Sequence, residues 1–145
     1  MNLSDLGDQP AAVGPHQIRL DGDIAWVRIV GVLERPESEQ LYRLYDQIGA
    51  RQGYLLVLSD ATAARGNSPE ARRFQHDHYK LRTYPSYTAV YGANLVIRTL
   101  IMMGIRANQL IHAQRPQVSF HSTEAEARAA LAEQRPQMVR PPASR

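Results

Sequence analysis

The sequence predicts a single α/β domain: one mixed β-sheet of about five strands, with helices packed mainly on one face. Three stretches carry that expectation. Gln17 to Leu33 reads as two strands around Asp21-Gly22-Asp23, a strong hairpin signal. The second of these strands, a helix-period segment and Tyr54-Leu55-Leu56-Val57-Leu58 then form a strand, helix, strand unit. Such a crossover makes its two strands parallel and its hand right-handed. The apolar run at 54–58 is unbroken, the pattern of a strand covered on both faces.

The chain of 145 residues is long enough for one real core, and a 43% apolar share argues for a folded body. It has no cysteine, which removes disulfides, thiolate metal sites and a cysteine nucleophile and suits a reducing cytoplasm. The acidic start, Met1 to Asp8, lacks the basic and apolar regions of a signal peptide. No segment reaches the roughly 18 uncharged apolar residues of a membrane span. The net charge is +3, and Lys80 is the only lysine among 17 basic residues, a bias that points to genome composition. With 14 acids interspersed, the basic balance implies no nucleic-acid partner.

Residues 1–15 read as a flexible N-terminal arm ending in Gly14-Pro15. Ile18 and Leu20 share one face of the first strand. In Ile24 to Leu33, Ala25, Val27 and Ile29 make one face. Ile24, Trp26, Arg28 and Val30 make the other, which Arg28 marks as only partly covered. Trp26 is expected to pack beside a sheet edge. Pro36 and Glu37-Ser38-Glu39 open a helix with Leu41, Leu44, Tyr45 and Ile48 on its apolar stripe, ended by Gly49 or Gly53.

After the strand at 54–58, Ser59 to Asn67 is polar and rich in turn formers, so a loop is expected from Asp60 to Ser68. Ser68-Pro69-Glu70 has the chemistry of a helix start, with a hydroxyl cap, proline at N1 and an acid in the first turn. On that helix Ala71, Phe74, His78 and Leu81 form the stripe expected to face the sheet, with His78 at least half buried and hydrogen-bonded. Arg72, Arg73, His76 and Lys80 form a basic face opposite. Tyr84-Pro85 breaks the helix, and Tyr87 to Tyr91 is a further strand ending at Gly92.

The segment from Asn94 to Gln114 is unusual. Arg98, Thr99, Arg106 and Gln109 gather in one polar wedge, and nearly everything else up to Ile111 is apolar. A helix on one sheet needs an apolar stripe a little over 100° wide, and this one is roughly twice that. Something besides the sheet should therefore cover part of it: a neighbouring helix of the same domain, or, where Leu95, Ile101, Met102 and Ile105 form an apolar interaction patch, a protein partner, a second copy of the chain, a lipid or a small molecule. Gln117 to His121 alternates like an edge strand, and Thr123–Glu126 is a capping box for a short final helix through Leu131. Residues 133–145 read as a basic, disordered tail.

Catalytic chemistry is not legible. Among five histidines, His76 and His78 point about 200° apart on one helix and cannot share an ion. His112 and His121 lie on different elements without ligand spacing. Ser59 or Ser68 with Asp60 and His76 or His78 lacks the Gly-x-Ser-x-Gly elbow of a hydrolase. Gly66 stands outside any glycine-rich phosphate loop. No catalytic residue, metal site or cofactor is expected.

The order of elements, with Ile24 to Leu33, Leu55-Leu56-Val57-Leu58-Ser59-Asp60, Ala89-Val90-Tyr91-Gly92 and Val118-Ser119-Phe120 ahead of Thr123-Glu124-Ala125-Glu126-Ala127, resembles the STAS domains over about residues 16 to 132. These domains occur as anti-sigma-factor antagonists and at the cytoplasmic ends of sulfate transporters, and the likeness is to their stand-alone bacterial branch. The resemblance implies a STAS-like domain at 16–132, non-enzymatic and cytoplasmic, acting in signal transduction by binding another protein, an anti-sigma factor or kinase-like regulator, or a second copy. In that family an Asp-Ser pair before the second helix is phosphorylated by the partner kinase. Here the pair falls at Asn67-Ser68, followed by Pro69. The resemblance thus implies Ser68 as the modifiable serine and Asp60, Thr62, Arg65, Asn67 and Ser68 as the partner-binding loop. The alternative is a small-molecule or lipid-binding domain that uses the apolar helix 94–111.

Overall fold

Six strands lie in sequence order across one sheet: β1 (Ala11–Val13), β2 (His16–Asp21), β3 (Ile24–Leu33), β4 (Leu55–Asn67), β5 (Ser86–Tyr91) and β6 (Val118–His121). β1 to β3 run antiparallel, and β3 to β6 are parallel. Four helices connect or follow them: α1 (Arg35–Gln52), α2 (Pro69–Tyr79), α3 (Leu95–Ile111) and α4 (Glu124–Val139). The computed structural model describes the backbone of residues 1–111 and 117–139, and side chains for 1–106 and 117–139. His112 and residues 140–145, and the side chain of Gln109, fall outside that range. No described helix is long and apolar enough to cross a membrane.

The mixed sheet and the crossover are as expected, but there are six strands rather than five. The extra strand comes from the supposed arm. Ala11 to Val13 pairs with His16 to Ile18, and Val13 and Leu6 are buried against α1 residues Leu41, Leu44 and Ile48. Leu20 N–H donates to the Gly7 carbonyl at 2.8 Å and Leu3 N–H to the Gln47 side chain at 2.6 Å, so residues 1–15 are tied down. Three residues are too few to show a period, which is why this strand is silent in the sequence.

Two cores flank the sheet. On one side Ile18, Ala25, Val27, Leu55 and Val57 pack under α1. On the other Ile24, Trp26, Leu56, Leu58, Tyr87, Ala89 and Tyr91 pack under Ala127 and Leu131 of α4. Leu55–Leu58 are all buried, as the unbroken run requires. Trp26 does not sit beside an edge: β3 has β2 on one side and β4 on the other. Its Nε1 donates to the Tyr91 hydroxyl at 3.1 Å, and the Arg19 guanidinium lies 4.2 Å from its ring.

The chain turns where the sequence says. Gly22 takes φ +64° at the first central position of the β2–β3 hairpin, a position that suits glycine, and Gly53 ends α1 at φ +86° with its N–H on the Gly49 carbonyl. The last helix, however, runs on to Val139 rather than ending near Leu131, so 133–139 is not a disordered tail. Arg135 explains the extension. Its Nε and Nη2 donate to the Asp23 carboxylate at 2.7 and 2.8 Å, tying α4 to the hairpin turn although Pro136 withdraws a backbone donor. That pair holds the Asp23 carboxyl below its ordinary pKa.

Candidate functional site

The segment from Asp60 to Asn67 is strand, not loop. β3 is ten residues long, and its second half needs a partner that β4 supplies: Arg28 pairs with Asp60, Val30 with Ala63, Gly31 with Ala64, Val32 with Gly66 and Leu33 with Asn67. Two register shifts absorb the poor strand formers, and Gly31 and Gly66 take positive φ there. Tertiary pairing has overridden local propensity. Because the β4–β5 ladder stops at Asp60–Tyr91, the far halves of β3 and β4 continue as a two-stranded ribbon.

Within this ribbon the expected partner-binding residues separate. Asp60 is buried and accepts from the Thr62 N–H at 3.0 Å and hydroxyl at 2.7 Å, with Arg28 3.9 Å away, so it braces the strand. Thr62 and Arg65 are exposed, and Asn67 is half-buried. Ser68 is 9% exposed, and its Oγ accepts from Ala71 N–H at 3.1 Å as the cap of α2. Its own N–H donates to the Leu33 carbonyl, so strand and cap are stitched together. The capping reading of Ser68-Pro69-Glu70 is thus the observed geometry.

α2 packs on α1, not on the sheet, because α1 already covers the sheet there. Phe74 and His78 stack on each other and meet the Tyr42 ring edge-on. His78 Nε2 lies 2.7 Å from Asp46 Oδ2, and the Tyr84 hydroxyl donates to Asp46 Oδ1 at 2.6 Å, so His78 is partnered as the helical wheel requires. Burial pushes the Tyr84 phenol up. Leu81 departs from the stripe: it lies past the end of α2 and is 70% exposed. The basic face is also divided. Arg72 and Arg73 are exposed and His76 half-buried at the edge of a cleft, whereas Lys80 caps the far end and faces Asp77 at 3.8 Å.

That cleft, of about 590 Å³, lies over the sheet between α2 and α3. Its floor includes Val27, Ile29, Val57, Ser59, Thr88 and Val90, its α1 wall Tyr42 and Tyr45, and its α3 wall Ile97, Ile101 and Ile105. α3 is therefore apolar on two sides with different fates. Ile97 is buried and Ile101 and Ile105 face the cleft. Leu95 is 78% exposed, Met103 61% and Met102 38%, with Val96 exposed beside them. The apolar patch expected from Leu95, Ile101, Met102 and Ile105 is thus divided between an outer face and a cleft wall. Asn94 caps the helix through Oδ1, which accepts from Ile97 N–H at 2.9 Å, and Arg98 lies over the Phe120 ring at 5.4 Å.

Sequence reading missed the ribbon, the Asp46–His78–Tyr84 network and the Asp23–Arg135 clamp. Their members lie far apart in the chain, and no local spacing signals them. Among the described residues no group of acids and histidines is placed to hold a metal ion.

No protein-family model matches the sequence, and no curated protein matches it either. Among solved structures, the anti-sigma factor antagonist SpoIIAA in its unphosphorylated form aligns with a TM-score of 0.53 at 12% identity, over 81% of this chain and 97% of that one. The fold is STAS-like, as the sequence resemblance implies.

Proposed function

We propose that this chain is a non-enzymatic regulatory domain that works in the bacterial cytoplasm by binding another protein, in the manner of an anti-sigma factor antagonist. The observation that carries this reading is the outer face of α3, where Leu95, Val96, Met102 and Met103 stand in water. A contiguous apolar face of this kind marks an interaction surface more often than an accident of packing. Leu100, on the cleft side of the same helix, reaches toward Gly66, so α3 itself adjoins the ribbon that carries Thr62, Arg65 and Asn67. The likeness to SpoIIAA supports a protein partner of the anti-sigma or kinase-like class.

Phosphorylation of Ser68 belongs to the same proposal. A phosphoryl group would replace the cap on Ala71 N–H, and the buried hydroxyl requires the α2 entry to open first. The free N–H groups and positive end of the helix would then receive the phosphate, so the modification would act by rebuilding the α2 entry.

Affinity capture with the wild type and the double variant Leu95→Glu/Met103→Glu tests the reading, with circular dichroism as the folding control. A protein held by the wild type and lost from the folded variant supports it. Identical captured proteins would place the contact elsewhere. Light scattering of the purified wild type separates a second copy of the chain from a foreign partner.

A further inference from the structure

The cleft between α2 and α3 is a surface separate from the outer face of α3, and its lining has a chemical sign. Among the described lining residues the ionised ones are Arg72, Arg73 and Arg82, with no aspartate or glutamate, and none of the three is in an ion pair with a described residue. Between these arginines the walls are alkyl and aromatic: Tyr42, Tyr45, Val57, Ile101 and Ile105. A volume of about 590 Å³ falls in the usual range for small-molecule sites.

Arg82 is the fixed end of this cleft. Its guanidinium lies over the rings of Tyr79, Tyr84 and Tyr42 at 5.0, 5.3 and 5.6 Å, and its Nη1 donates to Ser86 Oγ at 3.0 Å. Its Nε–H is buried without an acceptor. That atom is closed off from the cleft, so a head group is met at the Nη end of the guanidinium, for which a carboxylate is the best acceptor. Ser86, Thr88 and Gln117 line the same end and offer further donors.

From the cleft's shape and charge we infer that it binds a single-chain amphiphile with an acidic head, a long-chain carboxylate, with the head at Arg82 and the alkyl chain between Val57 and the Ile101–Ile105 wall. Each buried methylene strengthens such binding about fourfold, so chain length is read directly as affinity. The site stands independently of the protein-partner reading, because its residues lie on the opposite side of α3 from Leu95 and Met103.

Gly104 gives a clean way to fill the cleft. It lies on the lining, and a Cβ added there meets nothing within 4 Å. Replacing a helical glycine also favours the helix, so Gly104→Leu should fold at least as well as the wild type. Ser59→Leu fills the cleft from the sheet side and decides the matter should the first variant misfold.

The test is isothermal titration of the full chain with palmitate below its aggregation concentration, beside decanoate and hexadecanol. Saturable one-to-one palmitate binding is expected. Decanoate, six methylenes shorter, should bind about three and a half orders of magnitude more weakly. Hexadecanol should bind at least about tenfold more weakly, since it lacks the charge. Gly104→Leu should keep its melting temperature and lose at least about tenfold in palmitate affinity by exclusion from the cleft. Arg82→Gln should weaken palmitate by a similar factor and leave hexadecanol unchanged, which loss of structure alone would not do. No saturable palmitate binding, or undiminished binding in the folded Gly104→Leu and Ser59→Leu variants, overturns the site. Equal affinity for palmitate and hexadecanol overturns the acidic head.

Discussion

The two ends of the sheet use similar apolar content to different ends. Around β1, β2 and the near halves of β3 to β5, α1 and α4 close both faces, and Val13, Ile18, Ile48, Leu56, Leu58 and Leu131 are shielded from water. Around the β3–β4 ribbon and α3, the same residue types line a cleft or stand in solvent: Ile101, Ile105, Leu95, Val96 and Met103. The first region has helices on both sides and nothing left over. The second has a helix held by one side, with apolar surface to spare. Stability should therefore reside in the first and binding in the second, and mutations that respect the boundary can separate them.

The largest effect should come from the N-terminus. Deleting residues 1–14 removes Leu6 and Val13 from the α1 core and leaves β2 as an edge strand, paired only with β3. Burial of such side chains is worth about 1.5–3 kcal/mol each, against a typical domain stability of about 5–15 kcal/mol. The truncated chain should lose cooperative thermal unfolding or melt more than about 10 °C lower. A shift of only a few degrees would move the arm out of the closed region.

Next is the contrast between two leucines. Leu131→Ala opens a cavity under α4 and should cost about 2–5 kcal/mol in denaturant unfolding. Leu100→Ala, on the exposed side of the boundary, should cost less than about 1 kcal/mol. Equal losses would mean that α3 belongs to the closed region after all. At the junction of the two regions, Ser68→Ala removes the α2 cap and should cost about 1 kcal/mol.

Acidification probes the closed region by a different route. His16 is fully buried, its Nδ1 accepts from Val30 N–H at 3.0 Å, and burial lowers its pKa below 6.5 against the opposing pull of Glu37. The unfolded chain therefore binds a proton first as pH falls. Stability is full above about pH 6.5 and declines below it, toward the lower pKa of the folded state. Unfolding curves between pH 7 and 5 should show this decline in the wild type and a flatter dependence in His16→Gln. An unchanged slope would place the titration on other groups.

The closed region was also the more legible one. The hairpin at Gly22, the run Leu55–Leu58, the Ser68 cap and the α1 stripe each write a local chemical requirement into neighbouring residues. The open region was legible only in its excess: the width of the apolar face on α3 announced two contacts but could not say that one is a cleft wall. The ribbon was misread because Asp60 to Asn67 takes its strand conformation from β3, some thirty residues away, and not from its own propensity. β1 and the extension of α4 were missed for a like reason. Their anchors, Val13 in the α1 core and Arg135 on Asp23, are contacts made across the fold.

The smallest expected effect on stability is also the sharpest division between the regions, because it falls within one helix. Ile97 and Met102 lie five residues apart on α3, the first buried and the second at the outer face. Ile97→Ala should destabilise by about 2–5 kcal/mol, as cavity formation in a packed site does. Met102→Glu puts a charge where water already reaches, so its cost should stay within about 0.5 kcal/mol, as for surface substitutions. The same charge would be expensive beneath a partner, where it has to be desolvated. Met102→Glu should thus leave the melting curve in place and elute as a folded, dissociated species in size-exclusion chromatography whenever the wild type elutes as a complex. If Met102→Glu unfolds the protein, that side chain belongs to the core, and the partner must meet the ribbon alone.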